Sequence, residues 1–421
     1  MSYPWSVCYC TRLLWKTFER AIRTFPVILL TGPRQSGKTT FLRHEFGSSH
    51  RYVSLDRPDI RERALADPVA FLAENPPPAI LDEVQQATAL LPYIKDRVDR
   101  DRAAGQWLLS GSQKFPLMHG VSETLAGRVA VLSLDPLSTR EVVEQPPFSS
   151  LEGLMSGVFG PGDGANTGGD IGDADREVGL ADWLLRGGYP EPRLHAEVDR
   201  QLWFSGYTQT YLERDVRDLL QVADLGTFSR FLSLCASRTG TILNAADIGR
   251  DLGVSAPTVK RWLSVLETSQ VIHLLPPYHR NFGKRVRKSP KLFLIDPGLA
   301  SFHLGLHSAD AVLAGPSLGP LAETAVVGEW IKTMRQMGET AGLYYWRSSG
   351  GIEVDLVIEH GGRLHGLEVK ATATPLPHHA DGLARWLSWA GEGARGALAC
   401  RVARPLALRP GIRAVPWHLA W

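Results

Sequence analysis

Cysteine is scarce in this sequence: four residues in 421, at Cys8, Cys10, Cys235 and Cys400. They form neither a disulfide framework nor a paired C-x-x-C zinc pattern. Cys8 and Cys10 are read as incidental rather than as ligands. This usage fits a reducing compartment. Long apolar runs are missing too. No stretch approaches the roughly 18–20 residues of a membrane-spanning helix. Met1 to Arg12 lacks the basic-then-apolar order of a secretory signal. The expected location is therefore the cytoplasm, with no membrane partner. An excess of one charge is also absent. The net charge is +2, so any nucleic-acid contact needs a local patch. No internal repeat is found. With 44% hydrophobic and 21% charged residues in 421, the chain reads as globular, with roughly two to four domains.

What is present concentrates in one stretch. The apolar strand Val27 to Thr31 runs into Gly32-Pro33-Arg34-Gln35-Ser36-Gly37-Lys38-Thr39-Thr40. The spacing G-x-x-x-x-G-K-[ST], after a strand and before a helix, is that of a phosphate-binding loop. Its glycines allow backbone angles that a Cβ forbids, so the N–H groups turn inward. Those groups and the N-terminus of the next helix can hold a polyphosphate. Lys38 can reach the β- and γ-phosphates, and the Thr39 hydroxyl can ligate Mg²⁺. The stretch predicts binding of ATP or a similar nucleoside triphosphate.

The surrounding segments supply partners. Thr11 to Thr24 carries Leu14, Phe18 and Ile22 at helical spacing. Tyr52 to Asp56 reads as a second strand. Pro76-Pro77-Pro78 leads into a third, Ala79 to Glu83. About 45 residues after a phosphate loop, a strand ending in two acids predicts Asp82 on Mg²⁺ and Glu83 polarising the attacking water. A further strand, Gln106 to Leu109, ends in Ser110-Gly111-Ser112. Either hydroxyl can sense the γ-phosphate at the C-terminal edge of a parallel sheet, or the segment is a simple turn. Arg128 can neutralise transition-state charge, or it is a surface arginine.

In order, Gly-Pro-Arg-Gln-Ser-Gly-Lys-Thr-Thr at 32–40, Ile-Leu-Asp-Glu-Val-Gln at 80–85, Leu-Ser-Gly-Ser at 109–112, Leu-Ala-Gly-Arg at 125–128 and Leu-Asp-Pro-Leu-Ser at 134–138 resemble a family of prokaryotic AAA-type ATPases. These carry an uncharacterised C-terminal domain, often nuclease-like. Gly187-Gly188-Tyr189-Pro190-Glu191-Pro192 and the run from Tyr211 to Asp215 continue the match. The resemblance implies the roles already given for Lys38, Thr39, Asp82 and Glu83, and a sensor or finger role for Arg128. AAA-type relatives assemble as rings or act as monomeric switches, so an oligomer is open.

Ser149 to Asp175 is Gly-rich and reads as a flexible insertion. Trp203 to Leu234 reads as helical. From Asn244 to Leu266, Ile248 and Leu252 sit four apart, Gly253 allows a turn, Ser255 can cap the next helix and Pro257 falls in its first turn. Val259, Leu263 and Leu266 face inward, and Thr258, Lys260, Arg261 and Ser264 outward. The pattern resembles a winged helix with its wing at Tyr278 to Lys291. That segment holds six Lys or Arg and no acid, which suits phosphate contacts. Such modules also pack against proteins, so a nucleic acid and a protein partner are both open.

Glu323 opens a helix. Tyr344 to Arg347, Gly351 to Glu359 and Leu364 to Lys370 read as strands. Strand side chains alternate, so Glu353 and Asp355 share one face, as do Glu368 and Lys370. This resembles the PD-(D/E)xK nuclease fold, with Val354 where that family has proline. The resemblance implies that Glu323, Asp355 and Glu368 hold a second divalent metal and that Lys370 steadies water or phosphate.

The expected architecture is α/β. A P-loop NTPase parallel sheet (1–148) precedes a flexible insertion (149–180), a helical connector (181–235), a winged helix-turn-helix (236–310) and a restriction-endonuclease-like domain (311–421). The expected function is a Mg²⁺-dependent ATPase whose nucleotide cycle controls the C-terminal half on nucleic acid. The alternative is an ATP-dependent regulatory or scaffold switch with a protein partner and an inactive nuclease fold. A kinase would leave the C-terminal half without a role.

Overall fold

Five short, mostly apolar segments of the N-terminal third form one parallel sheet. The computed structural model describes residues 9–111, 124–146, 148–160, 179–212, 225–279, 289–339 and 342–419. The chain divides into two units, residues 1–137 with 268–270 and 335–338, and residues 138–267, 271–334 and 339–421.

In the first unit the strands are β1 (Val27–Thr31), β2 (Arg51–Ser54), β3 (Ala79–Asp82), β4 (Trp107–Ser110) and β5 (Val129–Ser133), in the order β2-β3-β4-β1-β5. Every pairing is parallel. β1, β3 and β4 are buried at every position, because helices cover both faces of such a sheet. On one face Leu29, Leu81 and Leu109 pack with Ile94 and Val98 of the helix Leu91–Arg100. On the other, Ile28, Ile80 and Leu108 pack with Phe18 and Phe41, from the helices Trp15–Ile22 and Lys38–Phe46. The order brings the C-terminal ends of β1, β3 and β4 to one edge, where ligands meet parallel sheets.

The second unit corrects one expectation. The segment read as a flexible insertion begins with a helix, Leu151–Phe159, capped by Ser150. Leu151, Leu154, Met155, Val158 and Phe159 are buried, and the rings of Phe159 and Trp330 lie 6.3 Å apart. The apolar spacing i, i+3, i+4, i+7, i+8 outweighs the Gly-rich run behind it. Residues 161–178 lie outside the described set, as do Ser112, residues 213–224 with the Glu213 to Asp215 match, and 280–288, most of the expected wing.

The helix Ala245–Leu252 ends at Gly253, and the helix Ala256–Thr268 follows. Ser255 Oγ accepts from Thr258 N at 3.3 Å, the cap the sequence predicts. The rings of Phe228, Phe231 and Trp262 pack together in tilted and edge-on contacts, while Lys260, Arg261 and Ser264 are exposed. β6 (Thr241–Ile242), β7 (Ile272–Leu275) and β8 (Lys291–Leu294) form an antiparallel sheet with β8 in the centre. Asp296, just beyond β8, accepts from Gly188 N at 2.6 Å. That bond ties down the Gly187-Gly188-Tyr189 turn.

The C-terminal sheet contains β9 (Gly342–Arg347), β10 (Glu353–His360), β11 (Arg363–Val369), β12 (Arg395–Cys400), β13 (Leu406–Arg409) and β14 (Ile412–Pro416), in the order β13-β14-β12-β11-β10-β9. β9, β10 and β11 are antiparallel, and β12 joins β11 in parallel. The parallel step needs a crossover, which the helix Asp381–Ala390 supplies. It buries Leu383 and Trp386 against Val354, Val357 and Ile412. No helix of the described residues is long and apolar enough to cross a membrane.

Candidate functional site

β1 stops at Thr31, and the chain turns through Gly32 to Gly37 before the helix opens at Lys38. The turn is steric as much as chemical. Gly32 has φ +144°, and a Cβ there would lie 2.2 Å from the Leu134 carbonyl oxygen. Gly37, at φ 93°, caps the helix in the left-handed region. Arg12 is buried and holds the loop from behind, donating to Ser36 O at 2.9 Å and Asp135 O at 2.6 Å. Lys38 Nζ donates to Gly32 O at 3.0 Å and Pro33 O at 2.7 Å. Ser36 Oγ is buried without a hydrogen-bond partner among the described residues. Pro33 is buried, Arg34 partly buried, and Gln35 and Thr40 exposed.

The acids expected from β3 arrive at this loop. Asp82 ends β3 and is buried. Thr39 Oγ1 donates to it, 2.9 Å from Oδ2 and 3.1 Å from Oδ1. Ser110 Oγ, at the end of β4, also donates to Oδ1 and accepts from Glu83 N at 3.4 Å. Of the two serines considered, Ser110 is therefore at the acids. Glu83 adopts φ 56°, ψ 46°, and its carboxylate accepts from Gln85 Nε2.

Two contributors have no sequence signal of their own. Tyr52 OH donates to Asp82 Oδ2 at 2.8 Å. Burial first, and then this bond, push its phenol up to about 12. Arg12 reads as an ordinary basic residue ahead of a helix. Arg128 corrects an expectation. It immediately precedes β5, and Val27 pairs with Val129, so it sits at the edge of the sheet opposite the loop. Asp99 binds its Nε and Nη2, and Ala126 O accepts from Nη1 at 3.0 Å. The fold keeps it from a triphosphate on its own loop.

Hydroxyl and carboxylate oxygens are hard ligands of the kind Mg²⁺ takes. Together with the orphaned Ser36 hydroxyl, Thr39 and Asp82 fit a metal–phosphate ligand.

The second unit gathers the other predicted acids. Glu323 comes from the helix Leu318–Met337, Asp355 from β10 and Glu368 from β11. The pairing of β10 with β9 shifts register between Val354 and Val357, the interval that holds Asp355. Asp355 Oδ2 accepts from Val369 N at 2.8 Å, and Lys370 Nζ donates to Glu368 Oε1 at 2.7 Å. Burial, then Asp355, push Glu368 up to about 7, against the pull of Lys370 and Lys291. The fourth partner ends the segment that reads as a wing in the sequence. Lys291 is buried, and its Nζ meets Glu323 Oε1 at 2.8 Å, Glu353 Oε1, and Asp355 Oδ1 at 3.7 Å. Lys291 itself is therefore withdrawn from the phosphate contacts expected of that segment, whose residues 280–288 lie outside the described set. Burial alone would lower its pKa, but Glu323, Asp355 and Glu353 hold it above the usual lysine range. Among the described residues no group of three or more His, Cys, Asp and Glu is arranged to hold a metal ion. The expected second metal does not fit, because an ammonium already stands among its carboxylates.

Comparison with known proteins adds the family. An AAA domain matches residues 24–143, a domain of unknown function (DUF8612) residues 178–310, and a second (DUF4143) residues 318–420. Among solved structures, the Walker-type ATPase Paby2304 of Pyrococcus abyssi aligns at 14% identity and TM-score 0.43, covering 69% of this chain and 94% of that one. The RuvB Holliday junction branch migration motor of Thermotoga maritima aligns at 16% identity and TM-score 0.27, covering 62% and 89%. Two uncharacterized proteins, from Mycobacterium bovis and Mycobacterium tuberculosis, are each 33% identical over 358 residues, 85% of this chain and 73% of the relative. With that identity over most of both lengths, this chain belongs to the family of those mycobacterial proteins, and residues 24–143 are its AAA-type P-loop ATPase domain.

Proposed function

We propose that the protein is a Mg²⁺-dependent ATPase whose nucleotide cycle governs a C-terminal half that engages nucleic acid. The meeting of Thr39, Asp82, Ser110 and Glu83 beside the Gly32–Lys38 turn carries the reading. Lys38 exchanges the carbonyls of Gly32 and Pro33 for phosphate oxygens when ATP arrives. The loop N–H groups and the helix N-terminus orient the triphosphate. Thr39 and Asp82 would hold Mg²⁺, which would supply neutralisation of the phosphate charge. Glu83 accepts a proton from the attacking water as its oxygen bonds to the γ-phosphorus and ADP leaves.

The C-terminal half supports the nucleic-acid reading by its topology. Two helices about a short turn, followed by β7 and β8, have the order of a winged helix, with Lys260 and Arg261 exposed on the second helix. The order helix, β9, β10, β11, helix, β12 is that of a nuclease-like α/β core. We read residues 236–310 and 311–421 in this way.

The test is ATP hydrolysis by the full chain with and without DNA and RNA, for wild type and Lys38→Ala. The expected result is Mg²⁺-dependent turnover, stimulated by one nucleic acid and lost in the variant. Turnover indifferent to both polymers would remove the nucleic-acid part. Absence of ATP binding with Mg²⁺ supplied would remove the whole reading.

A further inference from the structure

We propose that Lys291 is the resident cation of the acidic cluster in the C-terminal unit, standing where a nuclease-like site would hold its divalent metal, so that this domain binds without cutting. The inference rests on the nuclease-like reading of residues 311–421 and is independent of the ATPase site.

The geometry carries it. Glu323, Glu353 and Asp355 come from a helix and a strand that are distant in sequence, yet all three turn carboxylate oxygens toward one Nζ atom. Glu368 stands beside them with its own lysine, Lys370, at 2.7 Å. Arg347 Nε adds a weaker contact to Glu353 at 3.8 Å. Carboxylates crowded in this way repel unless a cation sits between them. In metal-dependent nucleases that cation is an ion from solution. Here it is covalently part of the chain.

The ammonium is not an exposed side chain that happens to fold over the site. Lys291 is 1% exposed. Its backbone opens the central strand β8, paired to Ile242 on one side and Leu275 on the other. The ring of Tyr345 lies 5.7 Å from Nζ, a cation–π distance. A strand held along both edges cannot swing its lysine away as a loop could. A divalent ion placed among the same oxygens would also lie against a positive charge. The site is therefore satisfied without metal, and its acids are not available to activate water.

The test is Mn²⁺ binding to the nucleotide-free full chain, read by the electron paramagnetic resonance of free and bound ion. Wild type, Lys291→Met, Lys291→Arg and the double variant Lys291→Met/Asp355→Asn are compared. Any Mn²⁺ at the phosphate loop is common to all four and cancels. Lys291→Met is expected to gain a bound Mn²⁺ at least about tenfold tighter than any in wild type, lost again in the double variant. Lys291→Arg, which keeps the charge, is expected to gain none. If Lys291→Met is poorly folded, Mn²⁺ is expected to raise its unfolding temperature while leaving Lys291→Arg unchanged. The proposal is overturned if wild type binds Mn²⁺ in a way that Lys291→Met/Asp355→Asn abolishes, or if Lys291→Met neither binds nor is stabilised by the ion. Neither outcome bears on the Lys38 ATPase assay, so the two readings fail separately.

Discussion

The hydroxyl of Tyr52 donates to Asp82 Oδ2 at 2.8 Å, joining β2 to the acid at the end of β3. Thr39 and Ser110 hold the same carboxylate. Tyr52 thus orients the acid proposed to face Mg²⁺. Tyr52→Phe keeps the ring and removes one bond to a charged group, worth about 1.5–3 kcal/mol. The Mg²⁺ concentration for half-maximal ATP hydrolysis should rise about tenfold, with a smaller change in the rate at saturating Mg²⁺. An unchanged Mg²⁺ curve would rule out the orienting role.

The roles proposed for Lys38 and Glu83 separate binding from chemistry. Lys38→Ala should lose nucleotide affinity in fluorescent-nucleotide titration. Glu83→Gln should bind ATP normally and hydrolyse it about 10²-fold or more slowly, as expected on losing a general base. Equal losses of binding in both would contradict the assignment.

Gly32 faces the Leu134 carbonyl oxygen, which a Cβ would approach to 2.2 Å. Gly32→Ala must displace either the loop or the Leu134 segment that follows β5. Nucleotide binding should disappear while the far-ultraviolet circular dichroism stays close to wild type. Binding retained in the variant would mean that the loop tolerates the shift.

In the second unit, Glu329 and Lys332 form a buried ion pair at 2.9 Å, and Glu329 also accepts from Thr139 N at 2.8 Å. Removing one partner leaves the other charge buried with less compensation. Glu329→Gln should cost about 3–5 kcal/mol in denaturant unfolding, and pairing it with Lys332→Met should recover part of that loss.

His303 supplies a pH dependence. Burial lowers its folded pKa to about 4, against about 6.5 unfolded. Protonation therefore disfavours the folded state. Stability is complete above about 6.5 and declines as pH falls toward about 4. His303→Gln should flatten that decline in unfolding midpoints measured across the interval.

Several features were legible because their chemistry is contiguous. The nine residues from Gly32 to Thr40 need only a strand before them and a helix behind. The run ending Asp82-Glu83 needs only to be a buried strand. The helices flanking Gly253 follow from local apolar spacing and the Ser255 cap. The helix Leu151–Phe159 was legible in the same way, but the Gly-rich run after it masked a five-residue apolar stripe.

The amino-acid sequence alone determined that a phosphate-binding loop and two trailing acids exist, because local backbone freedom and side-chain type suffice for that. Tertiary structure decided which groups share a site. Strand order carries Arg128 to the edge opposite the loop, brings Tyr52 and Ser110 to Asp82, and sets Lys291 among Glu323, Glu353 and Asp355. Such meetings depend on the register and sequence of pairing between segments far apart in the chain, and no local pattern of residues encodes them.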